Sequence, residues 1–284
     1  MSRTVYVNGE FVPEEQARIS VFDRGFLFAD GVYEVTSVLN GKLIDNDAHL
    51  ARLNRSLNEL DMPSPKSDQE IVEIQQRLVE LNKVAEGLVY LQVTRGAADR
   101  DFGYPANPSP SLVMFTQSKQ LVASAKAETG LKVISTPEIR WQRRDIKTVG
   151  LLAPCMAKNL ALSQGADDAW FVEDGYITEG SSNNAFIVTA DGVIVTRHLG
   201  CEILHGITRR VVLEFAEQVG CQVEERPFTV EEAYQAAEAF VTSATTFVMP
   251  VVKIDDVNVG DGKPGPVAKQ LRQIYIEQAL ASVG

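Results

Sequence analysis

Gly31–Leu60, GVYEVTSVLNGKLIDNDAHLARLNRSLNEL, changes its hydrophobic period part-way along. Before Ile44, GVYEVTSVLNGKLI suggests a pair of strands around Asn40-Gly41, a dipeptide suited to the two-residue turn of a β-hairpin. From Leu50 onward the apolar residues fall at Leu50, Leu53, Leu57 and Leu60, which lays one stripe along a helix. Upstream, RTVYVNGEFV repeats the hairpin pattern around Asn8-Gly9. Downstream, Ser67 and Glu70 form a capping box, followed by a stripe of Ile71, Ile74, Leu78 and Leu81, so a second helix is predicted from Ser67. Strands are expected at LVYLQVTR and SLVMFT, separated by GAADRDFGYPANPSP, whose Gly, Pro, Asp and Asn make it a loop and a candidate lid or binding element.

The second half reads as strand LKVIS, a helix around Pro154–Leu162, strands AWFVED, NAFIVT and GVIVT, and a helix from Thr208. A capped helix then starts at Thr229 with Glu232, strands AFVTS and VMPVVKI follow, and a last helix begins at Pro266. Hairpins and helices are grouped, without a βαβα alternation, and this predicts an α+β fold. A chain of 284 residues suggests two domains at roughly 100–200 residues each. They are expected as an N-terminal α/β domain over 1–118, a linker over 119–126 and a C-terminal domain over 127–284.

Composition narrows the function. A net charge of −11 argues against a nucleic-acid surface, which needs clustered Lys and Arg, and favours a small-molecule partner. Cys155, Cys201 and Cys221 have no C-x-x-C spacing and read as reduced core residues. His49, His198 and His205 form no i, i+4 pair, so no metal site is expected. There is no G-x-S-x-G or Walker motif. No signal pattern or membrane-length apolar run is found, and a cytoplasmic location is expected.

Two positions stand out chemically. RRDIKTVG sets Lys147 among charges, just before the apolar run Leu151-Leu152-Ala153, which reads as a core segment. In ITEGSSNNAFIV, Glu179 is expected just after a strand, before a turn of small polar residues that lets a ligand ring approach. A lysine with a carboxylate suggests a pyridoxal phosphate site, the amine forming a Schiff base and the acid keeping the ring nitrogen protonated. Read singly, Lys147 is a solvated ion pair, Glu179 a turn acid, Arg52 a surface residue on a polar helix face and Tyr33 a core aromatic.

YVNGEFVPEEQARISVFDRGFLFADGVYEV, HLARL, VTRG, RRDIKTVGLL, TEGSSNNAF, HGITRRVV and FVTSATT, in this order and spacing, resemble the fold type IV pyridoxal-phosphate aminotransferases, most closely those acting on D-amino acids. The resemblance covers nearly the whole chain. It implies a two-domain fold with the cofactor at the domain interface and a pseudo-barrel C-terminal domain carrying Lys147. It makes Lys147 the lysine bonded to the cofactor and the group that moves the α-proton, and Glu179 the partner of the ring nitrogen. Arg52, Ile207, Thr208 and Thr245, with Ser243 or Ala244 beside them, become phosphate contacts. Tyr33 and Arg100 become the trap for the substrate carboxylate, with Arg100 reaching in from a second subunit of a homodimer. Arg95 and Arg140 read as structural.

The sequence departs from the resemblance at one place. The best-known members have a histidine two residues after the trap arginine, where this chain has Arg100-Asp101-Phe102. Phe102 cannot donate a hydrogen bond, and Asp101 is expected to repel a carboxylate or tie up Arg100. The implied reaction is ping-pong transamination, D-alanine and 2-oxoglutarate giving pyruvate and D-glutamate. The alternatives are an L-branched-chain aminotransferase, an (R)-amine transaminase and an aminodeoxychorismate lyase.

Overall fold

The computed structural model describes residues 2–282; the outer ends of the two expected domains, at 1 and 284, lie outside the described residues. By its internal contacts the chain forms two units, one of residues up to Gln120 together with Ile146–Gly150, the other of Leu121–Asp145 with Leu151–Ala281. Lys147, expected in the C-terminal domain, therefore belongs to the first unit. The chain changes unit inside the stretch expected as linker, part of which is the short helix Ala125–Thr129.

The first unit holds strands β1 (Thr4–Val7), β2 (Glu10–Pro13), β3 (Gly31–Leu39), β4 (Lys42–Leu43), β5 (Gly87–Thr94) and β6 (Ser111–Ser118). Its helices are α1 (Arg24–Phe28), α2 (Asn46–Glu59) and α3 (Asp68–Leu81). The strands form one antiparallel sheet in the order β2-β1-β6-β5-β3-β4. Both Asn-Gly pairs take positive φ, 49° and 111° at Asn8-Gly9 and 50° and 73° at Asn40-Gly41, as tight hairpins require. The Ser67–Glu70 capping box opens α3. Strand periodicity sends Val32, Leu91 and Val93 to the face covered by Leu50, Leu53 and Leu57 of α2 and by Ile71 and Leu78 of α3. The opposite face carries the ladder Tyr33, Tyr90 and Phe115, stacked at 5.6 and 4.7 Å.

One detail of this sheet positions Lys147. β4 is so short that it pairs only with Val38 and Leu39, leaving the first half of β3 with an open edge. Residues 147–149 fill it: Tyr33 N donates to the Lys147 carbonyl (3.0 Å), and Val149 N to the Gly31 carbonyl (3.0 Å). Ile146 is buried with Val32, Leu50 and Leu53, so the alternation turns Lys147 to the opposite face, beside Tyr33.

The second unit contains α4 (Ala125–Thr129), α5 (Leu152–Ser163), α6 (Ile207–Gln218), α7 (Val230–Gln235) and α8 (Pro266–Ala281). Its strands are β7 (Leu131–Pro137), β8 (Asp168–Glu173), β9 (Tyr176–Gly180), β10 (Asn184–Val188), β11 (Ile194–Thr196), β12 (Val223–Glu225), β13 (Glu238–Ser243), β14 (Phe247–Ile254) and β15 (Val257–Asn258). They run in the order β12-β11-β10-β13-β14-β7-β8-β9, with β15 on β14. Five strand spacings separate β10 from β9, about 24 Å in a flat sheet. Yet β9 leads into β10 through Ser181, Ser182 and Asn183, a connection that spans at most about 15 Å. The sheet must therefore curl. Trp170, Ile177, Val195, Phe228, Val241 and Met249 fill its core.

Several local expectations change. The charged residues Arg144 and Asp145 are buried, whereas Leu151 and Leu152, read as a core segment, are exposed at 37% and 75%. Arg144 goes inside because its fork is satisfied by Glu173 (2.8 and 2.8 Å) and the Trp141 carbonyl (3.0 Å). The cysteines are free but not core residues: Cys155 and Cys201 are exposed and Cys221 is half-buried. The 96–110 loop is pinned, since Arg24 donates to the carbonyls of Asp101 (2.6 Å) and Gly103 (3.3 Å) and Arg95 lies 3.6 Å from the Tyr104 ring.

Candidate active site

In the first unit Lys147 Nζ stands 4.1 Å from the centre of the Tyr33 ring and, among the described residues, has no ion pair or side-chain hydrogen bond. Ser56, one turn beyond Arg52 on α2, accepts from Lys147 N at 3.4 Å. Arg52 is buried, not solvated as its polar helix face suggests. Its Nε and Nη2 grip both oxygens of Glu34 (2.8 and 2.7 Å), and His49 Nδ1 lies 2.7 Å from the same carboxylate. Burial alone raises the Glu34 carboxyl, but Arg52 and His49 outweigh it and hold it at about 2. Glu34 and His49 escape the sequence reading because their pairing joins a strand to a helix.

Tyr33 and Lys147 are thus brought together, and Arg100 and Phe102 are brought to each other. The exposed guanidinium of Arg100 lies 5.3 Å from the Phe28 ring and 5.6 Å from the Phe102 ring. Asp101 does not tie up Arg100 as expected: its Oδ1 accepts from Gly103 N at 3.0 Å.

In the second unit Glu179 lies inside β9, not after a strand, and its side chain is almost fully buried. Oε1 accepts from Arg140 Nη1 (2.7 Å), and Oε2 accepts from Asn184 Nδ2 (2.9 Å) and Leu204 N (3.1 Å). Burial pushes this carboxyl above its ordinary value, with Arg140 pulling against the rise. Arg140, read from sequence as structural, thus touches the key acid, 39 residues away in the chain, a separation that no local pattern spans. Asn184, at the end of the quoted GSSNN, also donates to the Leu204 carbonyl (2.9 Å) and so ties Glu179 to the segment before α6.

Ile207 and Thr208 open α6, a helix of 12 residues whose N-cap Gly206 supplies no side-chain cap, so its first amides are presented for an anion. A Cβ at Gly206 would come within 2.1 Å of Asn184 Oδ1, which reserves the position for glycine. Ser243 ends β13, and Ala244 and Thr245 form the turn into β14, where Ser243 Oγ lies 2.7 Å from Thr246 Oγ1. Arg272 of α8 holds this turn by donating to the carbonyls of Thr246 (2.7 Å) and Val248 (2.9 Å).

These residues fit pyridoxal 5′-phosphate. Glu179 is a buried anion whose Oε1 takes one bond, with capacity for about one more donor. The α6 amides and the glycine cradle suit a phosphate, and Lys147 is an amine not clamped by a carboxylate. Each unit by itself thus offers side chains of the kind a pyridoxal-phosphate enzyme needs, on an α+β fold with two sheets.

The chain belongs to the family described as amino-transferase class IV, which matches residues 31–254. It is 38% identical over 270 residues to a D-alanine aminotransferase of Staphylococcus aureus (strain MSSA476), covering 95% of each chain. It is 40% identical over 270 residues to one of Staphylococcus epidermidis, again covering 95% of each. The fold is similar to the T.th. branched-chain amino acid aminotransferase solved with pyridoxamine 5′-phosphate, at a TM-score of 0.91 and 27% identity over 98% of this chain and 94% of that one.

Proposed function

We propose that this protein is a pyridoxal-phosphate-dependent D-amino acid aminotransferase that converts D-alanine and 2-oxoglutarate to pyruvate and D-glutamate. The environment of Lys147 carries the chemistry: an amine over an aromatic face, with no carboxylate partner among the described residues. The preference for D-amino acids rests on the D-alanine aminotransferases that match almost end to end.

The cofactor, when bound, supplies a carbonyl carbon that condenses with amines and a protonated ring that takes up the electron pair left by the α-proton. Lys147 would hold the cofactor through its amine and, once free, would be the group that moves the α-proton of a bound substrate. Glu179 accepts the ring N–H; a carboxylate buried at a cost in solvation is stabilised by that cation. The amides of Ile207 and Thr208, the Ser243-Ala244-Thr245 turn and Arg52 hold the phosphate, and Glu34 fixes the Arg52 fork. Tyr33 and Arg100 hold the substrate carboxylate.

Phe102 gives that trap no donor, so the grip rests on fewer bonds than in a trap with histidine, and some (R)-primary amines without a carboxylate are accepted. Arg100 serves the neighbouring site of a homodimer. The exposed apolar residues of α5 support such an assembly. No described helix is long and apolar enough to cross a membrane. We assign the protein to the cytoplasm, where the exposed thiols of Cys155 and Cys201 stay reduced.

Single-turnover spectra test the reading. D-alanine should discharge the visible band of the bound cofactor and L-leucine should leave it. Discharge by L-leucine alone would establish the branched-chain alternative, which the fold shared with branched-chain enzymes such as that of T.th. favours. Keto-acid release without an amino acceptor would point to the lyase.

A further inference from the structure

Arg140 does not belong to Glu179 alone. Its Nε and Nη2 clamp both oxygens of Glu138 (2.9 and 2.6 Å), its own backbone N donates to Glu138 Oε1 (2.9 Å), and only Nη1 reaches Glu179 (2.7 Å). The guanidinium is stacked 4.3 Å from the Phe171 ring, which fixes its plane. Thr178 Oγ1 donates to Glu138 Oε2 (3.0 Å), and Arg144 Nε approaches the same oxygen at 3.6 Å while its two Nη atoms hold Glu173. Glu138 is buried to within 1% and Arg144 to within 3%, whereas Glu173 is 32% exposed. Charges thus alternate from surface to site as Glu173, Arg144, Glu138, Arg140, Glu179.

The count of formal charges matters. Three carboxylates and two guanidiniums sum to −1, so the row is balanced by one added positive charge, which is what a protonated ring nitrogen brings. Without Glu138 the same row would already be neutral, and the undivided charge of Arg140 would fall on Glu179. That carboxylate would then be a poorer acceptor for the ring proton. Glu138 lets Arg140 orient Glu179 without drawing off its basicity.

We infer that Glu138 is a positioning residue for the acid of the site, acting through Arg140 to set how strongly Glu179 holds the ring proton, with Arg144 opposing it from the far side. This rests on the assignment of Glu179 to the ring nitrogen. It makes a paired expectation of opposite sign, which a loss of packing alone does not produce.

The test uses holoenzyme reconstituted with cofactor labelled with nitrogen-15 in the ring, whose chemical shift at one fixed pH reads the position of the ring proton. Glu138→Gln should move that shift toward the unprotonated value, and Glu138→Asp, which keeps the carboxylate, should recover most of the change. Arg144→Met, which frees Glu138 to offset Arg140 more fully, should move the shift toward full protonation. Shifts in the same direction for Glu138→Gln and Arg144→Met, or no shift in either, would overturn the inference. If Glu138→Gln does not fold, Arg144→Met and Glu138→Asp decide it: a shift toward the unprotonated value in Arg144→Met would overturn it. A Glu179→Gln holoenzyme with the wild-type shift would instead remove the assignment of Glu179, a separate failure.

Discussion

Glu34 and Glu179 are both buried carboxylates bonded to an arginine, yet their proton affinities move in opposite directions. Glu34 has both arms of Arg52 and the His49 ring, and these overcome burial; Glu179 has one arm of an arginine that Glu138 already holds, and burial wins. The stability linkage has a definite sign. Glu34, at about 2 in the fold against 4.5 ordinarily, contributes stability that is full above 4.5 and is lost as pH falls through about 2. A gap of that size corresponds to something on the order of 3 kcal/mol. Glu34→Gln should therefore destabilise the protein by roughly 3–5 kcal/mol at neutral pH, because the buried Arg52 loses the carboxylate that two arms of its fork grip. It should also flatten the loss of stability toward acid. Urea unfolding at a series of pH values reads both effects, and an unchanged acid limb would contradict this account. None of this was legible at Arg52 itself. Its helix face is polar, and the carboxylate that makes burial tolerable stands on a strand 18 residues away, a pairing fixed by packing and not by local pattern.

Elements with their own local signals were easier to read than the contacts between them. The Asn-Gly hairpins and the capping boxes at Ser67 and Thr229 form as their chemistry dictates, because turn and cap bonds span two to four residues. The Lys147 segment was harder. Its polarity suggested charges outside and leucines inside, and the reverse holds, because ion pairs bury Arg144 while α5 turns Leu152 outward. The tie between β9, β10 and α6 was not legible either. Asn184 bonds Glu179 and the Leu204 carbonyl, and Leu204 N bonds Glu179, so the acid proposed for the ring is coupled to the helix start proposed for the phosphate. Gly206→Ala should break this coupling, since its Cβ would lie 2.1 Å from Asn184 Oδ1 and force that side chain off Glu179. Loss of one bond to a charged group is worth about 1.5–3 kcal/mol, so cofactor dissociation should quicken by roughly tenfold to a hundredfold. Release followed by gel filtration and absorbance measures it; wild-type retention would show that Asn184 relaxes without consequence.

At the scale of the whole molecule, one stretch of chain leaves its neighbours in sequence and joins another unit. Residues flanking Ile146–Gly150 on both sides belong to the second unit, but the open edge of β3 captures the segment itself. Such long-range pairing is set by which edge lacks a partner, a fact that no window of sequence contains. The same scale governs α5. Ala157 and Ala161 pack against Ile134, Ala169 and Phe171, while Leu152, Met156 and Leu160, one turn apart on the helix, stay 75%, 55% and 43% exposed. An apolar row of this kind on a helix already packed on its other face calls for a partner surface, and the proposed homodimer supplies one. Met156→Glu places a charge in the middle of the row. Burying it unpaired costs several kcal/mol, so the dimer should weaken by at least about a hundredfold and the variant should sediment as a folded monomer. If Arg100 acts across the dimer, turnover of D-alanine should fall with the dimer and return at high protein concentration. An unaltered dimer would remove α5 from the interface, and a monomer with full turnover would return Arg100 to its own subunit.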